Sequence, residues 1–155
     1  MARSTLFALL VLALIQVVAA IPLGQGLIIN KAANGALQAR FPRTALHVDR
    51  DDPQDPSNAW SIKSFEEGAS ISTLDNENFV YASNGVAFLM PIEQKWYFEN
   101  AGNNFYKIKV PNQDLVLTWQ EYYGVGEALV QKANGGPEQL WQIQTSSDYG
   151  RMYRQ

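Results

Sequence analysis

Trp119, Tyr122 and Tyr123 are interleaved with Gln120 and Glu121, and Glu138 and Gln139 follow in the same stretch of chain. Sugar recognition needs an aromatic face against the C–H face of the ring and a few placed polar groups for the hydroxyls. This group supplies both. A second group, Tyr81, Asn84, Glu93 and Gln94, offers the same chemistry. Few charges surround either group, which suits a neutral sugar better than a phosphate. An exposed aromatic cluster in a loop is a functional hint. The competing role for Trp119 is structural: it caps the end of a barrel or packs under Gly124-Val-Gly126.

Other chemistries find less support. Asp49, Asp51, Asp52 and Asp55 bring four carboxylates into one short run, the kind of oxygen donor calcium takes. The run lacks the glycine and terminal glutamate of an EF-hand loop, and Pro53 and Pro56 interrupt it, so it reads as a solvated loop. His47 is the single histidine and there is no cysteine. No second histidine or thiol is available for a zinc site or a nucleophilic triad, and His47 reads as a surface strand residue. Glu66-Glu67 could serve acid–base chemistry in a glycosidase, but nothing places the pair across a cleft. The expectation is a protein without catalysis, cofactor or metal.

Charged residues make up 17% of the 155 residues and apolar residues 46%, a globular balance with enough chain for one domain and one core. Arg3 is followed by the apolar run Leu6–Ile15 and by Val18-Ala-Ala20, the pattern of a cleaved secretory signal over residues 1–20. That run is too short for a membrane span. Without Arg3 the chain carries 11 basic against 15 acidic residues. Phosphate contacts need clustered Lys and Arg, so nucleic acid is not an expected partner. A secreted chain without cysteine has no disulfides and must rely on packing. No Asn-x-Ser/Thr sequence is present, so no N-glycan is expected.

The elements behind these residues come in threes. Asn58-Ala-Trp60-Ser-Ile62, Gln94-Lys-Trp96-Tyr-Phe98 and Gln139-Leu-Trp141-Gln-Ile143 share one pattern, with tryptophans 36 and 45 residues apart. Repetition at such a period signals repeated structural units that share a core. Each unit reads as four short strands. In the first, Leu27–Ile29, Ala36–Ala39 and Thr44–Val48 precede Trp60, with a hairpin signal at Asn34-Gly35. In the second, Ala69–Thr73, Phe79–Tyr81 and Val86–Leu89 precede Trp96. In the third, Phe105–Val110, Leu115–Trp119 and Glu127–Gln131 precede Trp141, with the chain breaking at Gly124-Val-Gly126. Trp and the apolar residue two places on share a strand face and belong to the core. No amphipathic helix follows the first 20 residues. The expected fold is all-β: a β-trefoil of twelve strands with pseudo-threefold symmetry, residues 21–145, in repeats of about 21–64, 65–100 and 101–145. A polar tail, 146–155, follows; Tyr149, Met152 and Tyr153 are its candidates for docking.

Gln139-Leu-Trp141 and Gln94-Lys-Trp96 match the Gln-x-Trp motif of the ricin-B-type β-trefoil lectins, and Asn58-Ala-Trp60 is a one-residue variant. The stretch Asn134–Trp141 resembles the end of a ricin-B repeat. The chain from Ile21 to Gln144 resembles small secreted fungal lectins of this type. The resemblance implies a secreted glycan-binding protein. In that family the Trp is core and the Gln braces the loop beside the sugar pocket. A working site there also uses an Asp on the second strand, an aromatic platform on the third and an Asn before the Gln. Leu115–Thr118 and Phe79–Ala82 carry no Asp, the third-repeat platform position falls near Lys132, and Glu138 and Glu93 precede the glutamines. The first repeat has Leu37-Gln-Ala39 and Ser57-Asn58 at these places. The family's galactose-type site is therefore not written in any repeat, and a sugar site here uses another arrangement of the same loops.

The leading expectation is a lectin whose partners are glycans or glycoproteins, secreted, monomeric or homodimeric. The alternative is a β-trefoil peptidase inhibitor acting through Asp49–Ser57 or Gln120–Gly126.

Overall fold

A computed structural model describes residues 21–39 and 44–145. The expected signal segment, 1–20, and the tail, 146–155, lie outside the described residues. Those residues form twelve strands and two single 3-10 turns, Pro56–Asn58 and Pro137–Gln139, with no α-helix among them. The strands are β1 (Gly24–Asn30), β2 (Gly35–Gln38), β3 (His47–Asp49), β4 (Trp60–Phe65), β5 (Gly68–Ser72), β6 (Phe79–Ser83), β7 (Val86–Met90), β8 (Tyr97–Gly102), β9 (Phe105–Lys109), β10 (Leu115–Tyr122), β11 (Val125–Lys132) and β12 (Trp141–Thr145).

Six strands close a barrel. β1 pairs β4, β4 pairs β5, β8 pairs β9, β9 pairs β12 and β12 pairs β1, all antiparallel. The ring closes between β5 and β8, where Ala69 and Trp96 exchange backbone hydrogen bonds of 2.9 and 2.8 Å. Gly68 makes that contact possible: a Cβ there would lie 2.3 Å from the Trp96 carbonyl oxygen. Closure leaves the barrel no free edge.

The other six strands form three hairpins, β2–β3, β6–β7 and β10–β11, that meet around one axis. Ala45 bridges Phe88, Val86 bridges Leu129 and Glu127 bridges His47. These contacts are cyclic: Ala45, Val86 and Glu127 are counterparts, as are His47, Phe88 and Leu129. Between them Leu46, Ala87 and Ala128 are buried to 1% exposure or less. The molecule is a β-trefoil.

The core repeats with the same symmetry. Trp60, Trp96 and Trp141 are buried, and each indole N–H donates to a second-strand carbonyl, Leu37, Val80 and Leu117, at 2.9 Å in every case. A buried indole needs such a partner for its one polar atom. Ile62, Phe98 and Ile143 continue the apolar layer two residues on, with Ile62 fully buried and the other two packed against the cluster.

Three local features differ from the sequence expectation. Asn34-Gly35 does not form a two-residue turn: Asn30 pairs with Gly35 across the four-residue loop 31–34, and the Asn30 side chain accepts from Ala32 and Ala33 N–H. The third strand is shorter than Thr44–Val48 and shifted to His47–Asp49, because Ala45 already bridges Phe88 of the neighbouring hairpin. The chain also does not break at Gly124-Val-Gly126. β10 runs to Tyr122 and β11 begins at Val125, with Tyr123 and Gly124 as the two turn residues.

Candidate functional site

The symmetry identifies what is peculiar to the third hairpin. Leu117 and Val80 occupy one position and Ala128 and Ala87 another, so hairpin β10–β11 is four residues longer than β6–β7 between them. The additional pairs are Glu121–Gly126 and Tyr122–Val125. Tyr123 and Gly124 both have positive φ, 48° and 80°, the geometry of a two-residue hairpin turn that matches strand twist. Glycine takes this φ freely and a tyrosine rarely does, so Tyr123 holds an uncommon backbone position at the tip. Its side chain is fully exposed; Tyr122 and Val125 are exposed at 49% and 43%.

Strand alternation divides the aromatic cluster. Trp119 and Glu121 lie on one face of β10 and Tyr122 on the other. Trp119 is half-buried and packs against the core cluster. Its counterparts Ala39 and Ala82 are small, and room for the indole comes from Gly126, diagonal to it across the strands. A Cβ at Gly126 would lie 2.5 Å from the Trp119 Nε1. That nitrogen is buried without a hydrogen-bond partner. Arg50, following β3, spans to this face: its guanidinium lies over the indole at 5.6 Å from the centroid, and Nη1 donates to Glu121 at 2.9 Å.

A groove of about 460 Å³ runs between the chain at His47–Asp51 and the hairpin end at Gly124–Gly126. His47, Asp49, Arg50 and Asp51 give it polar walls. Asp49 is fixed: Oδ1 accepts from Asp51 and Asp52 N–H, and Oδ2 accepts from the Asn58 amide at 3.0 Å. The Asp49–Asp55 run thus uses carboxylates to build its own loop, and Asp55 accepts from Ser57 N–H ahead of the 3-10 turn. Among the described residues no group of three His, Cys, Asp or Glu side chains could hold a metal ion.

Gln139 and Glu138 are not brought to the tip. Gln139 is fully buried; its amide donates to the Lys132 carbonyl and Thr118 hydroxyl and accepts from Asn134 N–H. These hydrogen bonds brace the hairpin base. Glu138 is half-buried and accepts from the Asn134 amide at 2.9 Å. In the second repeat, Tyr81 packs edge-to-face on Phe88 at 5.9 Å, and Gln94 accepts from Ala82 N–H, the same bracing role. Asn84 sits at the exposed turn with φ 52° and Glu93 is exposed. Asn58 completes the set of braces: its oxygen accepts from Gln38 at 3.1 Å.

Arg50, Asp51 and Val125 line the groove. The sequence offered them only within the Asp49–Ser57 and Gln120–Gly126 loops, and Asp51 also as a carboxylate of the acidic run, not as sugar contacts. Arg50 and Glu121 are 71 positions apart and no local pattern joins them. Only the cyclic pairing of hairpins, which sets β3 against β11, brings them together.

No protein-family model matches the sequence, and no curated protein does. Solved structures match the fold. A ricin B-like lectin of Macrolepiota procera in complex with lactose is 14% identical, with a TM-score of 0.67 over 82% of this chain and 99% of that one. A proteinase inhibitor from Coprinopsis cinerea is 12% identical, with a TM-score of 0.67 over 81% and 99%. The designed threefold-symmetric protein ThreeFoil is 14% identical, with a TM-score of 0.64 over 78% and 98%. The likeness is one of fold, shared equally by a lectin and an inhibitor.

Proposed function

We propose that this chain is a secreted, non-catalytic glycan-binding protein whose site is the third hairpin and the groove beside it. One observation carries the reading. The hairpin extends four residues beyond its counterpart β6–β7 and ends in exposed Tyr122 and Tyr123 next to a polar groove. An exposed aromatic face beside a fixed carboxylate and a guanidinium meets both needs of a sugar, C–H contact and hydroxyl hydrogen bonds. Glutamines 94 and 139 support the loops and do not touch the ligand. The Glu66-Glu67 pair supplies no acid–base chemistry in this reading: Glu66 sits in the β4–β5 turn and binds Lys95 at 2.7 Å. No helix of the described residues is long and apolar enough to cross a membrane.

Peptidase inhibition is the second reading, and the projecting hairpin is what favours it. A peptidase cleft takes up an extended segment, whereas Tyr123 and Gly124 hold left-handed backbone. The Asp49–Ser57 loop is folded on its own carboxylates. Both features favour the glycan. A glycan array probed with the chain and with Tyr123→Ala tests the choice. Selective binding weakened by the substitution is expected. No binding to any glycan, with inhibition of a peptidase panel lost in Tyr123→Ala, overturns the glycan reading.

A further inference from the structure

The Trp119 indole is fixed from below and only lightly covered from above. Below, it rests on the Gly126 backbone and the core cluster. Above, the Arg50 guanidinium lies over its ring, 5.6 Å from the centroid, tied to Glu121 at 2.9 Å. The Arg50 and Glu121 side chains are 53% and 43% exposed. Ion pairs and cation–π contacts this exposed are weak. Arg50 also lines the groove, so its displacement would open the indole face onto that space. Neither other hairpin has anything to cover: Ala39 and Ala82 stand where Trp119 stands.

We propose that Trp119 is a concealed stacking platform and Arg50 its displaceable cover. The inference rests on the glycan-binding reading. A saccharide entering the groove moves the guanidinium aside and lays a C–H face on the indole, taking the place of the cation. The Glu121 carboxylate, freed from Arg50, accepts from the ligand hydroxyls. An exposed ion pair and an exposed cation–π contact together favour the covered state by roughly tenfold. Apparent affinity falls by the fraction of molecules that are open, so the cover weakens binding by about the same factor. Arg50 thus sets affinity without being needed for it.

Collisional quenching of tryptophan fluorescence by acrylamide reads the cover directly. The other three tryptophans are at most 1% exposed, so the accessible signal comes from Trp119. Arg50→Ala should raise quenching, Glu121→Gln should raise it less, and Trp119→Phe should remove the accessible component. On a glycan array, Arg50→Ala should bind the parent's glycans about tenfold more tightly. Unchanged quenching in Arg50→Ala overturns the cover. Raised quenching with equal or weaker array binding overturns the platform and leaves the glycan reading intact. Raised quenching with no array binding by either chain overturns the glycan reading, and the platform with it, while the cover stands.

Discussion

Hairpin β6–β7 turns at Asn84-Gly85, immediately beyond the pair Ser83–Val86. Hairpin β10–β11 passes the equivalent pair, Gln120–Glu127, and runs two pairs further before turning at Tyr123-Gly124. Up to that level the two are near copies. Each accepts a core indole N–H at 2.9 Å, each is braced by a glutamine, and each bridges its neighbour at the axis. Beyond it they share nothing. A polar turn faces an aromatic one, and one pair below that level small Ala82 already faces bulky Trp119 across the symmetry. Positions tied to the axis answer to the core; positions past it are free to answer to a ligand.

Substitutions at the shared level should cost the fold most. Trp141→Ala or Trp96→Ala should lose about 3–5 kcal/mol in urea unfolding, since each leaves a cavity and an unpaired carbonyl in the core. Trp119→Ala should lose clearly less, because that indole is half-buried and its nitrogen has no partner to lose. Equal losses at Trp119 and Trp141 would break the division between the two levels.

Gln139→Ala should come next, at about 1–3 kcal/mol, because it strands the Lys132 carbonyl and the Asn134 N–H. Gln94→Ala should cost less, with one bond to Ala82 N–H and an amide nitrogen already unpaired. Gly126→Ala should cost about 1–3 kcal/mol and shift Trp119 fluorescence, because the new methyl meets the indole at 2.5 Å.

The smallest effect concerns acid. A hydrogen bond from the Thr73 hydroxyl, with a second from Glu77 N–H, holds the Asp75 carboxyl below its ordinary value of 3.8. A carboxylate lowered on folding stabilises the protein above its unfolded value, and that contribution fades as pH falls through the lowered one. Asp75→Asn should therefore slightly lower stability at neutral pH, where the contribution is fully present, and flatten the further loss below about pH 4. Asp75 is exposed in the β5–β6 turn, so any change made in the third hairpin should leave this acid limb alone.

The fold was legible because the trefoil repeats its determinants. Three tryptophans at similar spacing, each with an apolar residue two places on, mark three equivalent core positions, and alternating runs around them mark the strands. The candidate site was legible in part. Tyr122 and Tyr123 could be picked out as loop aromatics, but their exposure depends on how far β10 extends. The pair Gly124 and Gly126 read as a break, since sequence does not show that Gly126 is a strand residue making room for an indole on the neighbouring strand. Gln139 read as a ligand group because an amide's partners, here Thr118 and Lys132, are set by tertiary contact. Arg50 fell inside the Asp49–Ser57 loop but was not singled out, for the same reason.

On the proposed reading, the extension beyond the symmetric level, together with the adjoining Trp119 face and Arg50, carries binding, and the remainder carries the fold. Replacing Glu121–Gly126 by Asn-Gly gives the third hairpin the length and turn of the second. Urea unfolding and a glycan array on that variant, beside the parent chain, measure both halves at once. The expected result is a cooperative transition within about 1 kcal/mol of the parent, as for changes outside the core, and no glycan binding. Parent-like glycan binding by the shortened chain would contradict the claim and move the site away from the third hairpin.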